Sequence, residues 1–383
     1  MCWIGSLGSA VPAPAGGGTV GAVSRIHLVV LYGGQSAEHD VSCVTASHVL
    51  AAIDTKRYRV TPIGISPTGD WSLGEAAQAA LAAGPGALPD RLDTNGPSVS
   101  VADVIGARRD SLDAAADEVT VVLPLLHGPM GEDGTVQGML ELGNVAYAGS
   151  GVLGSALAMD KAMAKQVLGA NGIAQSRYRA FRESDISPGL PARLAEELGL
   201  PCFVKPANMG SSVGVSKPHT VEALRDAVEY ALTYDEWIVV EENIVGREIE
   251  VAVLGGTRPE ASVPGEIVPG EEFYSYEDKY VTDGAQLLIP APLSVEDSDT
   301  VRAMAIRVFN VLRCDGLARI DFFFEEGGRG FLCNEANTMP GFTPISMYPK
   351  LWQASGVSYP DLIDRLVELA IERKSRRRRN VKH

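Results

Sequence analysis

No stretch of this chain stays apolar for the roughly 18–20 residues that a bilayer-spanning helix needs, so nothing in it reads as a membrane anchor. Its five cysteines, Cys2, Cys43, Cys202, Cys314 and Cys333, form no C-x-x-C pair. An odd, scattered set among mostly apolar neighbours points to reduced, buried thiols of a cytoplasmic protein rather than to disulfides or a metal clip. Basic charge is also short: 33 Lys and Arg face 48 Asp and Glu, a net charge of −15. That balance argues against a nucleic-acid-binding surface over the main body. Residues 1–24 lack both a basic start and a firm apolar block and make a poor signal peptide. They read as a disordered extension or a misassigned start.

What is present is ordinary globular material. Hydrophobic residues make up 45% and charged residues 21% of 383 positions, enough for two or three domains with sizeable cores. After a disordered extension over 1–25, an N-terminal α/β domain is expected over 26–149. A central unit over 150–241 and a strand-rich unit over 242–371 follow. The fold class is α/β, turning α+β in the C-terminal half. The opening is a buried strand at Ile26–Tyr32, a helix from Ala37 to about Ile53 and a strand at Tyr58–Ile65, a βαβ beginning that favours a parallel sheet. Residues 66–118 read as irregular connection with short helices. Further strands are expected at Glu118–Leu123, Cys202–Lys205, Val213–Ser216, Trp237–Glu241, Glu248–Val253, Leu317–Phe324 and Gly330–Glu335. Met159, Met163 and Val167 recur every four residues, a helical pattern. Ser294 with Asp297 three residues on announces a helix over about Val295–Leu312. A last helix is expected at Asp361–Ile371, then a frayed basic tail over 372–383. The seven basic residues from Arg373 onward matter to the charge balance, since without them the body would stand at −22.

Two constellations carry chemistry. Lys205 ends an apolar strand and is followed by Asn208-Met209-Gly210-Ser211-Ser212-Val213-Gly214. Glycines that let a backbone come close, with consecutive N–H groups, can cradle phosphate oxygens, and the lysine adds a point charge. The loop is neither a Walker A motif nor a dinucleotide fingerprint, and an edge lysine beside a plain hairpin turn fits it about as well. The second constellation is acidic. Under the two-residue period of a strand, Arg319 and Asp321 share a face, and so do Glu335 and Asn337. Hard oxygens in that number suit Mg²⁺ (or Mn²⁺) holding a nucleotide's phosphates. The flanking Phe322, Phe323, Phe324, Phe331 and Leu332 make a cleft the better reading than a solvated pair of strand faces.

Lys161, Lys205, Glu241 in Val-Val-Glu-Glu-Asn-Ile, Arg319-Ile320-Asp321 and Glu335-Ala336-Asn337 stand in the order of the ATP-grasp enzymes. Four further segments resemble the D-alanine–D-alanine ligases within that superfamily: Gly33–Glu38, His127–Thr135, Phe273–Tyr280 and Asn337–Ser346. The resemblance covers roughly residues 26–370, and its motifs are specific in combination. It implies an ATP-grasp fold behind an N-terminal parallel-sheet domain that binds substrate. It also implies that two D-alanine molecules are joined, at the expense of ATP and with two Mg²⁺ (or Mn²⁺) ions, in a cytoplasmic homodimer. Lys161 and Lys205 would meet the phosphates, with Ser211 and Ser212 in the loop over them. Glu241, Glu242 and the backbone through Ile244 would face adenine, and Glu248 the ribose. Asp321, Glu335 and Asn337 would hold the metals. Glu38 would take the first D-alanine's ammonium, with His127 nearby; Ser346 and the Gly341 backbone would engage the second. Arg319 would face the reacting carbonyl. Ser211 and Tyr280 would tie the loop carrying Lys279 down through Glu38, and Lys279 would complete the phosphate clamp.

Some readings stay open at this stage. Glu38 at a strand-to-helix turn could equally complement the helix dipole. His127 could be a plain loop donor. Glu242 stands where some relatives carry lysine, adding negative charge beside the expected adenine site. A D-alanine–D-lactate or D-alanine–D-serine ligase would share the fold and metals, although Lys279-Tyr280 looks like the dipeptide-forming version. The Glu38 and His127 segments argue against a biotin carboxylase or glutathione synthetase relative. The intact acidic cluster argues against a regulatory protein that has lost catalysis.

Overall fold

The uninterrupted apolar run after His27 makes Ile26–Gly33 a strand, β1, buried from His27 onward at the centre of a five-stranded sheet. The structure is a computed structural model and describes residues 26–104, 118–268 and 286–377. From β1 the chain passes through α1 (His39–Ala52) to β2 (Tyr58–Ile65), which pairs with β1 in parallel. The stretch read as irregular holds a short antiparallel edge strand β3 (Trp71–Leu73) and two helices, α2 (Glu75–Ala83) and α3 (Val101–Val104). Then β4 (Val119–Pro124) pairs with the other side of β1. After α4 (Thr135–Leu142), the two-residue β5 (Ala146–Tyr147) closes the sheet. The order β3-β2-β1-β4-β5 means that successive connections leave β1 in opposite directions. A crevice therefore opens beyond the carboxyl ends of β1 and β4, the place where open α/β sheets bind ligands.

Two helices, α5 (Val152–Met159) and α6 (Lys161–Ala170), lead to a three-stranded antiparallel sheet. It is built from β6 (Tyr178–Arg182), β7 (Cys202–Pro206) and β8 (Trp237–Glu242) in the order β6-β8-β7. Helices α7 (Leu190–Leu198) and α8 (Val221–Leu232) supply its core through Leu194, Leu198, Leu224 and Val228. The third sheet holds β9 (Arg247–Gly255), β10 (Glu260–Ala261), β11 (Gly265–Val268) and β12 (Gln286–Leu288). After α9 (Val295–Val311) come β13 (Gly316–Glu325) and β14 (Gly330–Asn337), giving the order β12-β11-β9-β13-β14 with β10 on β9. As expected, Ser294 caps α9, its Oγ accepting the Asp297 N–H at 3.0 Å, and Val301, Ala305 and Val308 face the core. Last come α10 (Met347–Ala354) and α11 (Tyr359–Arg377).

Three expectations change. No regular strand forms over Val213–Ser216: the residues turn, and only Ser216 bridges to Val204. The helical pattern through Met159 and Met163 is broken at Asp160, whose carboxylate caps α6 by accepting the Met163 N–H at 2.9 Å; Met163 itself is exposed. The basic tail is not frayed over its first residues, because α11 continues to Arg377. Arg373 is buried, stacking 3.8 Å from the Tyr147 ring centroid and donating to the Gly149 carbonyl at 3.1 Å. Arg376 pairs with Asp315 at 2.6 Å, and Arg377 pairs with Glu141. The apolar face of α11 (Leu362, Ile363, Leu366, Val367) shares one core with Leu28, Val30 and Leu123 of the first sheet. Burying each leucine-sized side chain contributes roughly 1.5–3 kcal/mol. As expected, Cys43, Cys202, Cys314 and Cys333 are buried free thiols; Cys2 lies outside the described residues.

Candidate active site

A cavity of about 530 Å³ lies between the second and third sheets. Its walls hold twelve of the residues singled out from sequence: Lys161, Lys205, Ser211, Ser212, Glu241, Glu242, Ile244, Glu248, Arg319, Asp321, Glu335 and Asn337. The register of the third sheet explains the acidic wall. Asp321 is directly opposite Glu335 on one side and Glu250 on the other, so three carboxylates form a rung across β9, β13 and β14. Two residues along, Arg319 is opposite Asn337 on the same face. A bulge after Asp321 skips Asn334, whose Oδ1 lies 3.4 Å from Lys205 Nζ.

Within this wall Arg319 donates through Nε and one terminal nitrogen to both Asp321 oxygens, each at 2.7 Å, and Nε lies 3.1 Å from Glu250 Oε2. Burial works against the guanidinium charge, but Asp321 and Glu250 outweigh it and hold Arg319 well above its ordinary value. Asn337 Nδ2 also donates to Asp321, at 2.9 Å. The oxygen donors Asp321, Glu335 and Asn337 fit a hard divalent cation, with three rung carboxylates set against one guanidinium. Among the described residues, however, no three His, Cys, Asp or Glu side chains already surround a common point. Oxygens from outside the protein, of phosphate or water, would be needed beside these side chains.

The opposite wall is cationic and held from behind. The Glu241 carboxylate is buried between two lysines, with Lys165 Nζ at 2.9 Å and Lys205 Nζ at 3.1 Å, and accepts from Ser176 Oγ at 2.6 Å. Burial opposes its charge, but Lys165 and then Lys205 hold its carboxyl far below the usual range. The Glu241 side chain therefore anchors Lys205 instead of presenting itself to a base. Glu242 is tied up too, pairing with Arg177 at 2.8 Å and Arg329 at 2.6 Å, so the extra negative charge expected beside adenine is neutralised. Lys161 lies across the cavity floor, its Nζ donating to the Met209 carbonyl at 2.5 Å. Ser211 and Ser212 both adopt left-handed backbone, with φ of 48° and 59°. Such a conformation is costly for residues with a Cβ and recurs at ligand sites.

Glu38 reaches this loop from the first sheet. It occupies the position before α1 but makes no capping bond; Ser211 Oγ donates to Glu38 Oε1 instead. Glu38 thus links crevice and cavity while standing at the N-terminus of α1. A Cβ on Gly210 would sit 2.8 Å from Glu38 Oε2, and one on Gly128 3.0 Å, so both glycines leave room for the carboxylate. His127, at the end of β4, is buried; its Nδ1 hydrogen-bonds the Met339 carbonyl at 2.9 Å, and its Nε2 has no partner. Glu132 was not foreseen. It accepts the Gly128 N–H at 2.9 Å and the Met339 N–H at 2.8 Å, joining the first sheet's loop to the segment after β14. Burial, with Glu38 close by, pushes its carboxyl up to about 8. Lys165 and Glu250 were likewise missed. Ser346 Oγ lies 3.2 Å from the Thr343 N–H, and a Cβ on Gly341 would come 3.1 Å from it. Neither Gly341 nor Ser346, nor Glu38 or His127, lines the large cavity itself. Lys279 and Tyr280, with the rest of Gly270–Gly284, lie outside the described residues.

Comparison with known proteins shows the family to which this chain belongs. Residues 27–150 match the family model of the D-ala D-ala ligase N-terminus, and residues 167–368 that of its C-terminus. The D-alanine–D-alanine ligase of Bacillus pumilus (strain SAFR-032) is 46% identical over 352 residues, 91% of this chain and 97% of that protein. The structure of the D-alanine-D-alanine ligase from Coxiella burnetii is 36% identical and superposes with a TM-score of 0.77, covering 93% of this chain and 96% of the other. The VanG D-Ala:D-Ser ligase from Enterococcus faecalis is 31% identical with a TM-score of 0.76, over 90% and 99% of the two chains. The fold is thus the ATP-grasp fold expected from sequence, and the chain belongs to the D-alanine–D-alanine ligase family.

Proposed function

We propose that this chain ligates two D-alanine molecules to D-alanyl-D-alanine, converting ATP to ADP and phosphate, and so supplies peptidoglycan precursor synthesis. The observation that carries the reading is the Ser211–Glu38 bond, which joins the crevice of the first sheet to the glycine-serine loop beside Lys205. A carboxylate there would meet a small ammonium, and a nucleotide would fill the cavity behind it. We take 26–149 as the substrate domain, 150–241 and 242–371 as the two grasp subdomains, and the enzyme as a cytoplasmic homodimer. No helix of the described residues is long and apolar enough to cross a membrane.

A carboxylate resists attack by an amine until one of its oxygens becomes a leaving group. The first D-alanine, held through its ammonium by Glu38 with His127 nearby, would attack the γ-phosphorus through a carboxylate oxygen. ADP leaves, and a D-alanyl phosphate remains. Lys161 and Lys205 would balance the phosphate charge, and Lys279 would join them. Backbone from Glu241 to Ile244 would meet adenine, and Glu248 the ribose. Asp321, Glu335 and Asn337 would hold Mg²⁺ or Mn²⁺, which when bound neutralises charge on the transferring phosphoryl group. The second D-alanine, placed by Ser346 and the Gly341 backbone, would lose a proton and attack the acyl carbon. Arg319 would stabilise the resulting oxyanion until phosphate departs. Tyr280, with Ser211, would hold the loop of Lys279 over the acyl phosphate and keep water out.

The test is ADP release with D-alanine, D-lactate, D-serine and L-alanine offered singly and in pairs. D-alanine alone should support full turnover and yield the dipeptide by mass. Turnover that needs D-lactate or D-serine as a second substrate would replace the reading with a resistance-type ligase.

A further inference from the structure

The metal role proposed for Asp321 competes with the guanidinium it already holds. In the rung it is the central carboxylate, flanked by Glu335 and Glu250. Yet both its oxygens are engaged by Arg319, and Asn337 adds a third donor. A carboxylate whose lone pairs face a guanidinium has little left for a cation, and positive charge beside it repels one. Releasing Asp321 means moving Arg319, a buried cation that is costly to strand without an anion.

Glu250 is positioned to take over. It is buried, belongs to the same rung, and already has Oε2 3.1 Å from Arg319 Nε. The residue opposite it on the other side is Gly265, so no side chain stands between Glu250 and the edge of the rung. We propose that Glu250 is a positioning residue that accepts Arg319 when Asp321 turns to a divalent cation, so that metal binding and the placing of Arg319 over the reacting carbonyl are one event. The guanidinium moves from one anion to another along the sheet and is never left unpaired. Glu250 itself touches neither metal nor substrate. The inference rests on the proposed metal role of Asp321, and its experiment separates the two.

Binding of Mn²⁺ in the presence of a non-hydrolysable ATP analogue can be followed by the electron paramagnetic resonance signal of free Mn²⁺. Wild type is compared with Asp321→Asn, Glu250→Gln and Glu250→Asp, each first shown by circular dichroism and cooperative unfolding to be folded at the assay temperature. Asp321→Asn should abolish site binding. Glu250→Gln keeps the shape but not the charge, and should weaken Mn²⁺ about tenfold or more and lower kcat with little change in KM for D-alanine. Glu250→Asp, which restores the charge, should recover most of the affinity. Mn²⁺ affinity unchanged in Glu250→Gln while Asp321→Asn loses it would overturn the hand-over alone. Unchanged affinity in both variants would overturn the metal role of Asp321 with it. Should Glu250→Gln fail to fold, Glu250→Asp with wild-type kcat and a tenfold Mn²⁺ loss would also overturn the proposal, because a retained charge would then not suffice.

Discussion

Along β1 itself, the buried side-chain hydrogen bonds join neutral groups. His27 Nε2 hydrogen-bonds Thr61 Oγ1 at 2.8 Å, and Ser42 Oγ accepts the Gly33 N–H at 2.8 Å while donating at 2.5 Å to the Leu125 carbonyl. In the second and third sheets the buried groups are ions instead: Lys165, Glu241 and Lys205 in one chain, Glu250, Arg319 and Asp321 in another. The first region also makes ion pairs, but toward its margins: Arg59–Glu118 at one end of its strands, and the more exposed Arg57–Asp364 and Arg91–Asp40. The difference follows from what each region would have to hold. A small zwitterion needs one carboxylate and a shaped crevice. A polyphosphate with its metals needs many charges, and buried charges persist only if each already has a partner to exchange for the ligand.

The sharpest break in this comparison would come from Glu335. Glu335→Gln removes one anion from the rung and should lower turnover on the order of 10³-fold, about 4 kcal/mol of transition-state stabilisation, with an unchanged melting curve. Full activity in Mg²⁺ buffer would remove the reason for the ionic wall. Next is Lys165→Met, which leaves Glu241 with Ser176 and a shared Lys205. Stripping one partner from a buried pair should cost about 3–5 kcal/mol in urea unfolding. A loss below about 1 kcal/mol would mean that the charge behind Lys205 is dispensable.

In the neutral region the effect should run through pH. Burial and Arg59 lower His27 to about 4, so as pH falls the unfolded chain takes up its proton first. This contribution is intact above the ordinary histidine value of about 6.5 and is lost progressively down to about pH 4, up to about 3 kcal/mol in all. His27→Gln should flatten the melting temperature across that window, and an unaltered slope would point to other groups. The smallest effect concerns the bond between the regions. Ser211→Ala deletes a hydrogen bond to a charged partner, worth roughly 1.5–3 kcal/mol, and should lower turnover about 10- to 100-fold. Activity within twofold of wild type would mean that Glu38 holds its place without the loop.

Strands such as Tyr58–Ile65 were legible because a continuous apolar run has one good place to go. The shared face of Arg319 with Asp321 and that of Glu335 with Asn337 followed from the two-residue period, and the register of β13 with β14 then sets them opposite one another. Glu250 escaped notice although the same period puts it on the face of Glu248. Its meaning depends on the register with Asp321, which sequence spacing does not contain. Lys165 escaped for another reason: a lysine one turn after Lys161 on a helix reads as solvent-facing until Glu241 arrives from β8. The basic residues after Ile371 looked like a tail by charge alone, and the acceptors that bury Arg373 lie more than 220 residues earlier. Composition gave Val213–Ser216 a strand-like pattern, but the left-handed turn at Ser211 and Ser212 leaves only a single bridge.

Helix α11 carries a consequence for how the chain acquires its shape. The apolar faces of β1 and β4 are completed by Leu362, Ile363, Leu366 and Val367, and Arg57 near the start pairs with Asp364 and Glu368 near the end. The first sheet is synthesised well before the side chains that cover it. During synthesis its apolar surface must wait for more than 200 residues, a loop whose closure is entropically slow and which leaves the nascent chain open to aggregation. The first sheet cannot complete its core until α11 has been made.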